Sequence, residues 1–501
     1  MKHEILAAID LGSNSFHLQI GRVVDDQIYL LDGLRDPVRL GAGLTRDRRI
    51  DRATQIKALD ALSRFGERLR GFPKGAVRAV GTNALRVARN ADQFLAEAES
   101  VMGYPVEVIF GKEEARLIYI GVAHSLTPSA EGRLVVDVGG GSTEFVIGTG
   151  LKPELMESVS MGCVSYSLKY FPEGVLDKQS FKRAELAAAN EIERLVKPFR
   201  RMGWTQAVAS SGTARTVASI LQSFGWCERG ISAQGLERLR SAMIKAGDIN
   251  ALRLTEMRED RLGVLAGGVA ILVAVFSELG IESMEVSDSA LRQGVLFDLL
   301  GRVQHHDARE ATVSHFQRRY HIDAPQADRV AALAERWYEQ IVANPAEDGL
   351  LMLRWAAALH EIGISIAHAG YHKHSAYILA QADMPGFSQH EQARLSRIVL
   401  AHRGKLAKSE LEGLPARSAD WPLIFSLRIA ALFCRSRNDI KFPKILAAST
   451  ETGFRLALPA DWLEAHPMTQ AALEEEAQEW AVLGMKLELR SDSGERLHAA
   501  G

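Results

Sequence analysis

The chain has 501 residues, too many for one hydrophobic core, so three or four domains are expected. With 47% hydrophobic and 24% charged residues it has the make-up of a globular enzyme, which excludes fibrous and disordered classes. A formal net charge of −2 provides no general field for polyanions. A phosphate-rich ligand must therefore meet a local basic groove, and nucleic acid is not an expected partner.

The first element, ILAAID at 5–10, reads as a strand that ends in Asp10 and runs into Leu11-Gly12-Ser13-Asn14-Ser15. Glu4 and Asp10 interrupt the only apolar stretch there, so this is no secretory signal. Two β-like runs follow at 17–24 and 27–31, joined by a hairpin at Asp25-Asp26. Helical periodicity covers 52–70, a short strand 77–80, and one amphipathic helix 83–102. A strand at 106–110 leads into a helix opening at Lys112, with Glu113 and Glu114 in its first turn.

At 134 the order restarts. LVVDVGGGST at 134–143 places Asp137 before Gly139, Gly140, Gly141, Ser142 and Thr143. At the spacing that carries Asp10 onto Asp137, Gly12 matches Gly139, Ser15 matches Ser142, and Ile20-Gly21 matches Ile147-Gly148. Strands are predicted at 144–147, 207–210 and 284–287, with a small-residue turn at Ser211-Gly212-Thr213 and a closing helix at 290–300. The segment 262–277 carries no charge but is shorter than the ~20 residues a spanning helix needs, so it is expected to be a buried helix. Attachment to a membrane surface stays open.

Beyond about residue 304 the strands stop. Helical patterns fill 325–342 and 350–362, and histidines accumulate from His305 and His306 to His402. The tail mixes a β-like run at 453–458 with a helix at 468–480. Cys163, Cys227 and Cys434 are far apart with no C-x-x-C pair, which fits a reducing cytoplasm.

A lone aspartate at a strand end usually caps a turn. Two such ends at a fixed spacing, each followed by residues that let backbone N–H groups approach a polyanion, point to phosphate binding in a cleft between related lobes. The cradle is then Asp10, Gly12, Ser13, Asn14, Gly139, Gly140, Gly141, Ser142 and Thr143, with Ser211, Gly212 and Thr213 as a third loop. Glu113 and Glu114 have a plain reading, complementing the helix dipole. At the inter-lobe crevice, a carboxylate there can also orient water for in-line attack on a phosphoryl group. Arg86 and Arg292 stand at strand-to-helix junctions, where a guanidinium can grip phosphate. His360-Glu361 and His402 resemble the His-Asp set of metal-dependent phosphohydrolase domains, but Glu361 replaces the aspartate and 325–342 holds no histidine, so a degenerate, non-catalytic domain is expected. There, His372, Lys373, His374, Arg403 and Lys405 either line a path for a polyanion or are simply solvated.

Together these motifs closely resemble the exopolyphosphatase/guanosine pentaphosphate phosphohydrolase (Ppx/GppA) family of the sugar kinase/Hsp70/actin superfamily. The residues that carry the likeness are AIDLGSNSFHL at 8–18, GKEEARLIYIGVAH at 111–124, VVDVGGGSTEFVIG at 135–148, SMGCVS at 160–165, SSGTA at 210–214 and SDSALRQGVLFDLL at 287–300. It continues through YHID at 320–323, RWAAALHEIG at 354–363 and HKHSAYILAQADMPGF at 372–387.

The resemblance implies an α/β fold: two RNase H-like (actin-like ATPase) lobes at 1–124 and 125–304, an all-α degenerate HD-like domain at 305–439 and a small α+β C-terminal domain at 440–501. It implies that Glu114 activates water, that Asp137 with Glu114 attends Mg²⁺, and that Arg86 contacts phosphate. The activity it implies is processive release of orthophosphate from the end of inorganic polyphosphate by a cytoplasmic homodimer. The alternative is a guanosine pentaphosphate (pppGpp) 5′-phosphohydrolase. More distant readings are a phosphotransferase or ATPase switch and a non-catalytic polyphosphate-binding regulator.

Overall fold

A computed structural model describes residues 3–24, 27–127, 130–251, 259–303, 307–406, 411, 414–415, 418–439 and 442–491. The chain forms two compact units, Met1–Ala308 with Pro385–Gln389, and Arg309–Met384 with His390–Gly501. The hairpin expected at Asp25-Asp26 and the pair His305 and His306 lie outside the described residues.

The first unit contains two sheets of one design. In the first, β1 (Ile5–Leu11), β2 (Phe16–Val24), β3 (Gln27–Asp36), β4 (Val77–Gly81) and β5 (Val106–Val108) lie in the order β3-β2-β1-β4-β5. β2 runs antiparallel to β1 and β3, whereas β4 is parallel to both β1 and β5. In the second, β6 (Gly132–Val138), β7 (Thr143–Thr149), β8 (Lys152–Val159), β9 (Gln206–Ser210), β10 (Ile231–Ser232) and β11 (Ser283–Val286) lie in the order β10-β11-β9-β6-β7-β8. Apart from the added edge strand β10, the pairing pattern is that of the first sheet. β1 and β6 are buried along nearly their whole length, as central strands covered on both faces must be.

The repeat extends to irregularities. Both β2/β3 and β7/β8 slip register at an Ile-Gly step, Ile20/Gly21 and Ile147/Gly148. A Cβ on Gly21 would stand 2.5 Å from Ile28, and one on Gly148 2.4 Å from the Lys152 carbonyl, so the bulge needs glycine in both lobes.

Two helices cross between the lobes. Gly111–Ser125 leaves the first sheet and packs on β7 and β8, while Leu291–Val303 leaves the second and packs on β1, β2 and β4. They meet backbone to backbone: a Cβ on Gly294 would lie 1.7 Å from the Leu117 carbonyl, and one on Gly121 2.2 Å from that of Ala290. The uncharged segment forms most of the Glu259–Leu279 helix. Val269, Ile271, Leu272 and Val275 sit fully buried in the second lobe's core. It is long and apolar enough to cross a membrane, but here it is a core helix.

The helix expected over 83–102 is two helices, Asn83–Val87 and Ala91–Met102. Between them Arg89 N–H donates to Arg48 O at 2.8 Å, and the Asn90 side chain bonds the backbone of Ile50. These tertiary bonds outweigh local helical preference.

The second unit is helical. Its small sheet, β12 (Leu446–Thr450), β13 (Gly453–Leu458) and β14 (Lys486–Ser491), packs on the Asp420–Phe433 helix through Phe425, Phe454 and Trp480, whose rings lie 4.2–5.7 Å apart.

Candidate active site

The two aspartate turns are built alike. A Cβ on Gly12 would meet the Ser15 carbonyl at 2.9 Å, and one on Gly139 that of Ser142 at 3.1 Å. The turns also touch each other: the Cβ position of Gly140 is 3.0 Å from Ser13 Cβ, and that of Gly141 is 3.3 Å from Ser13 Oγ and 2.3 Å from Asn83 Oδ1 at the start of the Asn83–Val87 helix. The first turn is held from behind, where Gly41 N–H and Arg39 N–H donate to the carbonyls of Ser13 and Asn14. The second is held by the start of the Cys163–Tyr170 helix. There the N–H groups of Cys163 and Val164 donate to the carbonyls of Gly139 and Gly140 at 2.9 and 3.0 Å. A Cβ on Gly162 would stand 2.3 Å from the Gly140 carbonyl, so this close approach needs the glycine of the SMGCVS motif.

A cavity of about 130 Å³ lies between the turns, lined by Asp10, Gly12, Ser13, Asn14, Glu114, Asp137, Gly139, Gly140, Gly141, Ser142, Ser211, Gly212, Thr213 and Arg292. Arg86 and Thr143 stand off its wall. Thr143 is buried and its hydroxyl donates to Met161 O at 2.7 Å. Arg86 lies behind Glu114, donating through Nη1 to Glu114 Oε2 at 2.7 Å and to Ile109 O at 2.9 Å. Of the third loop, Ser211 has φ +94°, a strained conformation for a side-chain-bearing residue, at the start of the Ser211–Ser223 helix. Its neighbour Gly212 is covered by Arg261, whose guanidinium stands 2.0 Å from where a Cβ would be.

Charge is concentrated here. Burial pushes the Asp10 carboxyl up to about 7, and the nearby Glu114 and Asp137 add to the shift while Arg292 opposes it. Burial likewise pushes Asp137 up to about 6, against a hydrogen bond from Ser210 Oγ to its Oδ2. Asp10 Oδ1 and both amide atoms of Asn14 are buried with no hydrogen-bond partner among the described residues. Unpaired buried acceptors in a carboxylate cluster call for a cation or a donor. Among the described residues no three His, Cys, Asp or Glu side chains form a chelating group on their own. The donor set therefore suits a divalent ion that keeps waters and shares itself between one or two carboxylates and phosphate oxygens.

Glu113, next to Glu114, points the other way into a buried ion network. Arg116 grips it with Nε and Nη2 at 2.7 and 2.8 Å and reaches Asp298 as well. Asp298 also accepts from Arg78 at 2.6 Å and Arg302 at 3.1 Å. The three guanidiniums hold the Asp298 carboxyl well below the usual carboxylate range, overriding its burial.

Sequence reasoning missed several residues. Glu144 is fully buried, takes a 2.9 Å hydrogen bond from Ser158 and faces Asp137 across the β6/β7 pair. Burial, then Glu114 and Asp137, raise its carboxyl well above the ordinary range. The repeat contained the signal: antiparallel pairing after each turn sets His17 against Asp10 and Glu144 against Asp137. Also missed were His17, Arg35, Arg215 and Arg261, which with Arg292 line a second cavity of about 500 Å³. It shares His17, Gly212, Arg215, Arg261 and Arg292 with the first. Arg292 donates to His17 Nδ1, and burial with the four arginine charges drives that imidazole down to about 2.

The histidine region assembles differently. His360 and His402 meet edge to face at 5.0 Å, and Glu361 is bound by Arg437 at 2.6 Å. Lys373, Arg403 and Lys405 are exposed, and His372 and His374 half-buried, in the second unit.

Two lobes of one topology, closing on paired phosphate-type turns, define an enzyme of the actin-like superfamily that acts on phosphoryl groups. The chain belongs to the Ppx/GppA phosphatase family: that family's model matches residues 19–303, and the model of its domain III matches 308–477. It is accordingly a phosphate-releasing hydrolase. Among solved structures it is similar to an exopolyphosphatase from Cytophaga hutchinsonii, with 26% identity and a TM-score of 0.54 over 60% of this chain and 98% of that one. It is also similar to the Aquifex aeolicus member of the Ppx/GppA family, with 25% identity and a TM-score of 0.51 over 60% and 98% of the two chains.

Proposed function

We propose that this phosphatase is an exopolyphosphatase, removing the terminal phosphate of inorganic polyphosphate. The observation that carries this reading is the wall the two cavities share, His17, Gly212, Arg215, Arg261 and Arg292. The carboxylate-lined space between the turns adjoins a larger one with Arg35, Arg215, Arg261 and Arg292 on its wall. Among the described residues its lining has no Phe, Tyr or Trp on which a base would stack. A row of phosphates needs successive cations along its path, and this wall supplies four. The name of the Cytophaga relative supports the same substrate.

In this mechanism the backbone N–H groups of both turns and the start of the Ser211–Ser223 helix receive the terminal phosphates. Arg86 occupies Oε2 of Glu114 and fixes the carboxylate, so that Oε1 takes the proton side of a water aimed in line at the terminal phosphorus. The arginines hold the remaining chain so that it slides forward after each cleavage. Asp137 and Glu114, with Asp10, would hold Mg²⁺, which when bound neutralises charge developing on the phosphoryl oxygens. The family likeness and the three separated cysteines support, as part of the same proposal, a homodimer in the cytoplasm.

The test is kcat/KM for orthophosphate release from long-chain polyphosphate and from guanosine pentaphosphate, side by side. Polyphosphate is expected to be favoured by at least about tenfold, roughly 1.4 kcal/mol of transition-state binding. A preference for the nucleotide would transfer the assignment to the pentaphosphate phosphohydrolase.

A further inference from the structure

The second unit has a cavity of its own, about 260 Å³, whose floor is formed by His360 and His402. Both rings are held in one tautomer. His360 Nδ1–H donates to Ala357 O at 2.7 Å and His402 Nδ1–H to Val399 O at 2.5 Å, which leaves each Nε2 as an acceptor; that of His402 faces the Tyr371 hydroxyl at 3.4 Å, and that of His360 is left for a ligand. Burial lowers the basicity of both, so the floor is neutral and offers acceptors.

The charge a metal would supply is already present as guanidinium. Arg437 binds Glu361 at 2.6 Å and Asp323 at 3.0 Å. Arg428 is fully engaged by Glu476 and by the carbonyls of Ala401 and Gly404. Two further arginines line the cavity, Arg403 and Arg435, both exposed. Arg403 lies over the Tyr371 ring at 5.0 Å. No carboxylate comes within ion-pair distance of either among the described residues. The cavity therefore combines a neutral imidazole acceptor at its floor with two exposed guanidiniums at its rim that meet no carboxylate among the described residues. A hydrogen phosphate group or a phosphate ester with an N–H or O–H donor matches both features, since its anionic oxygens accept from guanidinium while its donor reaches an imidazole.

We propose that this cavity is a second anion site, separate from the candidate active site, for a small molecule bearing a phosphate group. The source is either an inorganic phosphate or a phosphorylated nucleotide, and the volume admits more than a single phosphate. The proposal does not depend on the substrate assigned above.

The test is equilibrium dialysis of the full-length protein with labelled orthophosphate, pyrophosphate and GDP in separate arms, wild type against the double variant R403Q/R435Q. Both positions are exposed, so the variant is expected to fold, with an unchanged thermal midpoint as the check. In at least one arm wild type should show two classes of site, and the variant should lose one of them, weakened by roughly a hundredfold. Loss in the orthophosphate or pyrophosphate arm identifies an inorganic ligand, and loss in the GDP arm alone a nucleotide. As a second readout, the Nε2 resonances of His360 and His402 should shift with ligand in wild type and stay still in the variant. Equal stoichiometry and affinity for the two proteins in every arm overturns the proposal.

Discussion

Asp10 and Asp137 are carboxyls that the bare protein holds near neutrality, at about 7 and about 6, because burial penalises their charge. A divalent cation would relieve that penalty, so chelation followed by re-addition of Mg²⁺ should abolish and then restore phosphate release; activity indifferent to chelator removes the metal from the account. Asp298 shows the opposite sign. Its carboxyl is depressed by Arg116, Arg78 and Arg302, so its stabilisation is complete above the ordinary carboxylate pKa and fades as pH falls below about 4. Asp298→Asn leaves buried guanidiniums uncompensated and should cost about 3–5 kcal/mol in chemical denaturation near pH 7. The gap to wild type should narrow in acid; a gap independent of pH contradicts the network. At this scale the sequence was legible wherever a residue stood inside the repeat, as Asp137, Gly139 and Ser142 do. Glu144 also stood inside it, but its role depends on strand register, which turns a separation along the chain into a cross-strand pair. Arg35, Arg215 and Arg261 were illegible because isolated arginines look alike until three elements bring them to one wall.

Among the elements, the crossing of Gly111–Ser125 with Leu291–Val303 carries the greatest geometric demand. Gly294→Ala would force the helices apart where a Cβ lies 1.7 Å from a carbonyl, with an expected loss of at least about 2 kcal/mol in unfolding free energy. Gly263→Ala is the control: that helical position has open space around it, and the change should be neutral or stabilising by up to about 1 kcal/mol. If both substitutions behave alike, the close crossing is not what the glycine serves. Strand and helix types could be read from periodicity, and the glycine steps at Ile20-Gly21 and Ile147-Gly148 were visible as a match before their role as bulges was known. The break at Ala88–Asn90 was not visible, because the groups that cause it, the Arg48 carbonyl and the Ile50 backbone, lie some forty residues away.

For the whole molecule, the duplication of a five-strand pattern is what turns two ordinary turns into one site. Each turn alone presents a few N–H groups and one aspartate. Facing each other, with Gly140 and Gly141 against Ser13, they make a cavity lined by three carboxylates and by Arg215, Arg261 and Arg292, which it shares with a larger neighbour that adds Arg35. Glu114 enters that cavity from a helix that links the lobes, so its position relative to both turns is fixed by the fold. The most direct measurement is orthophosphate release from long-chain polyphosphate by wild type and Glu114→Gln, with substrate binding followed in parallel. The account predicts that the variant binds polyphosphate with nearly unchanged affinity and loses turnover by about 10²–10⁴-fold, the range for removing a positioned general base. A variant that keeps most of its turnover would show that water is activated elsewhere and would contradict the account at its centre.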